Sequence, residues 1–312
     1  MTQLRIASLL AGSTEILYGL GLGDSVVAIS HECDHPPQAL SKPRVTASAI
    51  DAHAASAAID VQVREMTAAG EALYAIDHRR LRELRPDLIV TQAQCDVCAV
   101  SFDDVSRFVS DSPELSATRI VAMNPSRLDE LFEDIERIAD AAGAPDAGME
   151  FVEGLRRRAS AVSDAVAEIG APRPRVACIE WIEPVMIAAN WMPELIELAG
   201  GRCDLTQAGE QSRYTPWADV VAYDPDVIVV MPCGFDLQRA RAESAVLMGF
   251  EDWNKLSAVQ SGRVFAVDGS AYFNRTGPRM VDSLELLAGL LHGEALMHFR
   301  KTYAHAWCTL ID

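Results

Sequence analysis

The chain has 312 residues, 49% of them apolar and 23% charged, with a formal net charge of −18. Such a balance is ordinary for a globular fold, and its sign argues against the basic patch of a nucleic-acid binder and against a polybasic membrane anchor. No run of about 18 apolar residues marks a membrane-inserting helix.

Strand-like apolar runs alternate with helical patterns, which predicts an α/β protein with mostly parallel sheets. In the first half, strands are expected over residues 5–9, 26–30, 88–91 and 119–122. Helices are expected over 14–20, 59–69, 79–84, 102–110 and 126–142, with Ser126 as the N-cap of the last. Pro145 then opens a long helix that Gly170 and Pro172 end. At ~1.5 Å per residue it spans roughly 36 Å, a domain's width, so it can bridge two lobes. The second half begins with a strand at Arg175. A helix over 193–199 ending at Gly200-Gly201, strands over 227–231 and 264–267, and a last helix over 278–292 follow.

One phrase occurs twice. Leu84-Arg85-Pro86-Asp87-Leu88-Ile89-Val90 is a helix end, a Pro-Asp turn and a buried strand, and Tyr223-Asp224-Pro225-Asp226-Val227-Ile228-Val229-Val230 repeats it. Each strand runs into a loop with cysteine, Cys95 in the first case and Cys233 in the second. Two doubly wound α/β lobes of similar plan, each with its own core, explain the echo: residues 1–144, a bridging helix over 145–171, and residues 172–312. Ligands of open α/β sheets bind outside the carboxyl ends of the strands, so the expected site is a cleft between the lobes.

Several segments together resemble a family. Arg5 to Leu17, Gly21 to Ser30, Cys33-Asp34-His35-Pro36-Pro37, Leu198-Ala199-Gly200-Gly201, Tyr214-Thr215-Pro216-Trp217 and Arg275-Thr276-Gly277-Pro278-Arg279 are similar, in order and over nearly the whole chain, to vitamin B12 and siderophore binding proteins of ABC importers. The resemblance implies two α/β lobes joined by one long helix, with a ligand between them and no catalysis. A cobalamin-like corrinoid is the ligand it favours, and haem or a siderophore are the related choices. A corrinoid is a broad macrocycle edged with amides, which calls for aromatic faces, apolar walls and a few polar groups. Trp181, Trp191, Tyr214, Trp217, Tyr272 and Phe273 supply the first, and His31, Glu32, Gln92, Asn190 and Arg275 the last; Tyr272 and Arg275 are carried over from the family's ligand-contacting loop.

A second cluster joins Cys33 and His35 with Cys95 and Cys98. Cys-x-x-Cys with a further Cys and His suffices for a tetrahedral zinc site, or for iron–sulfur ligation. A metalloprotein or redox enzyme centred there is the alternative from a different class. His31 or His35 can also approach the cobalt of a bound corrinoid.

Family members bound by an importer carry an acidic docking residue on each lobe. The corresponding positions here hold Arg79 and Ala218, with Asp219 adjacent. An arginine repels a basic permease surface. With a first strand four residues from the start and seven cysteines, this leads to the expectation of a cytoplasmic corrinoid carrier or sensor. The alternative is an exported importer component, acting with an ABC permease, whose leader has been removed.

Overall fold

In the computed structural model, which describes residues 4–93 and 100–311, one long helix joins two larger sheets, one formed before it in the chain and one after it. The N-terminal sheet is four-stranded, in the order β2 (Val26–Ile29), β1 (Ile6–Ser8), β5 (Leu88–Gln92), β6 (Arg119–Met123), and all its pairings are parallel. β3 (Thr46–Ser48) and β4 (Tyr74–Ile76) form a separate antiparallel pair beside it. The C-terminal sheet has six strands in the order β12 (Trp307–Thr309), β11 (Val264–Val267), β10 (Val227–Val230), β7 (Val176–Trp181), β8 (Met186–Ile187), β9 (Arg213–Tyr214). Its central strands β11, β10 and β7 are parallel, and β12, β8 and β9 extend it antiparallel.

Helices cover both sheets. Those of the N-terminal lobe are α1 (Ala11–Gly19), α2 (Ser56–Ala69), α3 (His78–Leu84), α4 (Phe102–Ser110) and α5 (Leu128–Ala141). α6 (Pro145–Ile169) is the bridge. The C-terminal lobe carries α7 (Met192–Leu198), α8 (Trp217–Tyr223), α9 (Leu237–Glu243), α10 (Ser257–Gln260), α11 (Met280–His292) and α12 (Met297–Thr302). α6 runs 25 residues, starts at Pro145 and stops at Gly170, whose φ of 58° is left-handed. Arg158, at mid-helix, ties it to α11 by pairing with Asp282 and, at 2.9 Å, with Glu285.

The twice-said phrase is one device used in both lobes. Asp87 Oδ2 accepts the Arg5 backbone N–H at 2.9 Å, and the Asp87 N–H returns a bond to Arg5 O at 2.8 Å. Asp226 Oδ2 accepts the Arg175 N–H at 2.8 Å, and its own N–H donates to Arg175 O at 2.8 Å. Just before each proline the chain turns left-handed, at Arg85 (φ 44°) and Asp224 (φ 46°). Each Pro-Asp turn thereby fixes its central strand, β5 or β10, against the lobe's first strand, β1 or β7.

Two differences from the sequence expectations have clear causes. α5 begins at Leu128 rather than at Ser126, because Ser126 gives both its N–H and its hydroxyl to Glu130 Oε2, at 2.7 and 2.8 Å. A carboxylate is the stronger acceptor, so the serine donates instead of capping. The lobes also do not keep wholly separate cores. One buried cluster runs from Ile6, Leu88 and Ile135 through Leu155 and Val162 of α6 to Val176, Val227 and Leu284. Smaller clusters fill the outer face of each sheet.

Candidate functional site

The segments that follow β1 and β2 meet the segment that follows β11 across the lobe boundary, Gly12 lying against Thr276 and Asp34 pairing with Arg275. At its base the backbones of Gly12 and Gly277 nearly touch: a Cβ on Gly277 would lie 2.9 Å from Gly12 Cα. Four charged groups lock the base. Arg275, 6% exposed, pairs with Glu15 at 3.2 Å and with both oxygens of Asp34, whose Oδ2 it meets at 2.9 Å. Arg279 donates from Nε to Glu15 Oε2 at 3.0 Å. Glu15 and Asp34 belong to the N-terminal lobe and the arginines to the loop that enters α11. The predicted residue Arg275 therefore has its guanidinium committed to carboxylates across the boundary.

The N-terminal wall holds His31, Glu32 and Gln92. His31 donates its N–H to Thr46 Oγ1 at 2.9 Å, and its Nδ1 lies 2.7 Å from the same oxygen. Thr46 Oγ1 in turn donates to Ser30 Oγ at 3.1 Å. With its own proton so used, the threonine accepts from Nδ1–H, which leaves the lone pair on Nε2. That Nε2 is buried without a hydrogen-bond partner among the described residues. Burial, helped by Arg44, lowers the imidazole's pKa, so the ring is neutral at pH 7. Glu32 keeps half its side-chain surface open, yet crowding by surrounding protein raises its pKa against the pull of Arg275. Gln92 is 4% exposed at the end of β5, next to the buried Thr91, whose hydroxyl has no hydrogen-bond partner among the described residues.

The C-terminal wall holds Trp181 at the end of β7, edge-on to Phe235 at 5.5 Å, with its indole Nε1 buried and unpaired among the described residues. Beside it Glu180, hydrogen-bonded to Ser212, is pushed up to about 7 by burial. Neither Glu180 nor Thr91 was singled out from sequence. Each sits within or beside an apolar strand run, where a polar residue at the carboxyl end is the signal to look for.

Other predicted residues are engaged elsewhere. Trp191 is buried and donates its Nε1–H to Phe273 O at 3.0 Å. Tyr272 and Phe273 are buried in the continuous core, the Tyr272 hydroxyl 2.9 Å from His305 Nε2. Trp217 donates to Glu251 O at 2.8 Å and packs on Phe250 and Trp253. Asn190 sits at a φ of 49°, with its backbone tied to Glu210 O and Gly209 N–H. Tyr214, half exposed, donates its hydroxyl across the lobe boundary to Asp60 Oδ1 at 2.5 Å.

Cys33 is fully buried, its Sγ 3.0 Å from Thr14 Oγ1, and burial pushes its thiol up to about 11. His35 is exposed and lines a hollow of about 720 Å³ with Glu15, Tyr18 and Lys42, beside α1. Cys95 and Cys98 lie outside the described residues. Among the described residues no group of three His, Cys, Asp or Glu side chains is placed to hold a metal ion, so the zinc or iron–sulfur expectation gains no support from them.

Two α/β sheets, a single helical bridge and a polar-lined seam between strand ends define a two-lobe ligand-binding protein. The profile of the family described as "Periplasmic binding protein" matches residues 6–271, and the chain belongs to that family. The vitamin B12-binding protein of Vibrio cholerae is 26% identical over 284 residues, which is 90% of this chain and 86% of that one. An uncharacterized ABC transporter substrate-binding lipoprotein of Bacillus subtilis is 22% identical over 290 residues, 91% of this chain and 78% of its own. The fold matches the crystal structure of the periplasmic vitamin B12 binding protein of Vibrio cholerae with a TM-score of 0.64 and 24% identity, covering 95% of this chain and 98% of that one. It also matches the apo form of a periplasmic heme-binding protein from a Roseiflexus species, with a TM-score of 0.68, 20% identity and coverage of 94% and 99%.

These relatives correct the expectation of a cytoplasmic protein, since the family and the Vibrio relative are periplasmic. Where the chain starts carries no information on export. An odd set of thiols is also compatible with an oxidising compartment when they are inert. Burial raises Cys178 well above the ordinary thiol range, as it does Cys33, so both stay protonated and unreactive.

Proposed function

We propose that this protein captures a cobalamin-like corrinoid between its lobes, outside the cytoplasm, and presents it to an ABC permease without catalysing a reaction. The similarity to the Vibrio cholerae vitamin B12-binding protein over 90% of the chain carries the ligand class. His31 Nε2, the Thr91 hydroxyl and Trp181 Nε1–H at the strand ends, which have no hydrogen-bond partner among the described residues, support it, because a macrocycle edged with amides offers partners for both donors and acceptors. The neutral imidazole of His31 is suited to face the ligand's polar rim or its metal. Arg79 on α3 is 81% exposed and lies 3.6 Å from the carboxylate of Glu83, itself exposed, so this helix offers a permease an acidic as well as a basic group.

The test is an absorbance titration with cyanocobalamin, cobinamide, hemin and a ferric siderophore. Saturable perturbation of the corrin bands at micromolar concentration, with weaker response to hemin, is expected. Saturation by hemin alone would transfer the protein to the haem-binding members of its class.

A further inference from the structure

Between β3 and β4 the chain makes an excursion, residues 49–73, that carries α2. It rises from the N-terminal lobe, where Val45 N–H bonds to Ile29 O at 3.0 Å and Asp77 N–H to Val45 O at 2.8 Å. Its contacts on the other side are with the C-terminal lobe. Ser56, 1% exposed, gives its hydroxyl to Glu243 Oε2 at 3.2 Å. Asp60, 6% exposed, accepts from the Tyr214 hydroxyl at 2.5 Å and pairs with Arg64 at 2.7 Å. The guanidinium of Arg239 donates to the carbonyls of Ala52 and, at 2.6 Å, Ala54. Ile59 packs into the cluster of Phe235, Ala240 and Ala266, together with Trp181.

These partners locate α2 over the ligand seam. Trp181 ends β7, Phe235 lies in the loop after β10, and Thr46, at the root of the excursion, holds His31 at the end of β2. The segment therefore crosses from strand ends of one sheet to strand ends of the other. Two surface hollows lie nearby, one of about 450 Å³ beside Asp236 and Arg241 and one beside α1 that reaches Glu15 and Arg279 at the base of the seam.

We propose that residues 49–73 are a lid on the binding site: the segment closes the seam between the lobes, is latched to the C-terminal lobe by Asp60–Tyr214, Ser56–Glu243 and Arg239, and must release to admit a ligand. The occupant it admits is the corrinoid inferred above, so in its ligand this inference rests on that reading. The lid forms a third wall, and Ile59 and its neighbours on α2 become determinants of which ligand fits. The latch consists of a few hydrogen bonds, each with one charged partner, and of the contact of Ile59 with Phe235.

Hydrogen–deuterium exchange tests the lid without any ligand. The double variant Tyr214→Phe, Arg239→Ala removes two of the three latches. Exchange across residues 56–69 is expected to rise at least about tenfold, the size of one or two lost hydrogen bonds. Exchange in β1, β5, β7 and β10 should stay unchanged. Unchanged exchange in α2 would show that the N-terminal lobe alone holds the segment, and would overturn the proposal. A kinetic arm uses cyanocobalamin as the probe on Ser56→Cys, Glu243→Cys protein, with the exposed Cys233 replaced by serine, joined by a reducible bis-maleimide. Linked protein should associate at least about tenfold more slowly than the same protein after reduction. Equal rates would also overturn the lid. If neither form takes cyanocobalamin while α2 still opens in the double variant, the corrinoid reading fails and the lid stands.

Discussion

Gly12 and Thr276 meet across the lobe boundary so closely that a Cβ on Gly12 would sit 1.7 Å from the Thr276 carbonyl oxygen. Neither backbone can yield easily, since Gly12 is in the first turn of α1 and Thr276 directly precedes Gly277 and the entry to α11. Gly12→Ala should therefore destabilise the protein by about 3 kcal/mol, at the upper end of overpacking costs. Gly154→Ala on α6, where the nearest neighbour is the tip of Arg157 at 3.9 Å, should be neutral or stabilising by up to about 1 kcal/mol. Urea unfolding of the two variants makes the comparison, and equal midpoints would refute the close-contact argument.

The charged lock beside this contact predicts strong coupling. Glu15 and Arg275 are buried at 4% and 6% side-chain exposure. Breaking one member of a buried pair costs about 3–5 kcal/mol, and Arg279 still pairs with Glu15, which places Arg275→Gln at the low end. The double variant Glu15→Gln, Arg275→Gln should lose less than the sum of the singles, with a coupling of about 1–3 kcal/mol. A double-mutant cycle read by chemical denaturation measures it; strict additivity would mean the pair is not formed.

Glu180 gives stability a pH dependence whose sign is fixed. Its carboxyl is raised from 4.5 to about 7 in the folded protein by burial. The folded state thus holds a proton that the unfolded chain releases near 4.5. Its contribution is complete below 4.5, is lost as pH rises through about 7, and is constant above that. The loss is at most about 3 kcal/mol. Relative to wild type, Glu180→Gln should become progressively more stable between pH 4.5 and 7.5. Parallel pH profiles for the two proteins would place the titration elsewhere.

Thiol chemistry should separate the cysteines by location. Cys233 is exposed, whereas Cys33 and Cys178 are buried and held protonated. Iodoacetamide at pH 8 should modify Cys233 fully in native protein and leave Cys33 and Cys178 untouched until denaturant is added. Peptide mass spectrometry reads the result, and early modification of Cys33 would contradict its burial.

The sequence made the architecture legible because its signals are local. The Pro-Asp phrase, Pro145 with Gly170, and the apolar runs of β5, β10 and β11 each declare an element within a few residues. The cleft at the strand ends followed from topology. The lid did not, although the helix over residues 59–69 was expected. Its meaning lies in Tyr214, Arg239 and Glu243, far along the chain, and no periodicity records such pairings. Aromatic residues were hard to assign for a related reason. Trp191 and Trp181 look alike in sequence, and only packing distinguishes an indole bonded to Phe273 O from one whose N–H is unpaired among the described residues. The short strands β3, β4, β8, β9 and β12 were missed because two or three residues carry too little alternation to be seen.

The apolar cluster that passes from Ile6 through Val162 to Leu284 makes the two halves thermodynamically inseparable. A chain cut at the end of α6 would leave each fragment with a water-exposed strip of aliphatic side chains that its own helices cannot cover. Heat should consequently melt the protein in a single cooperative transition, and neither half should fold when expressed without the other. A permease docked to either half therefore senses the whole molecule, because the halves share one folding equilibrium.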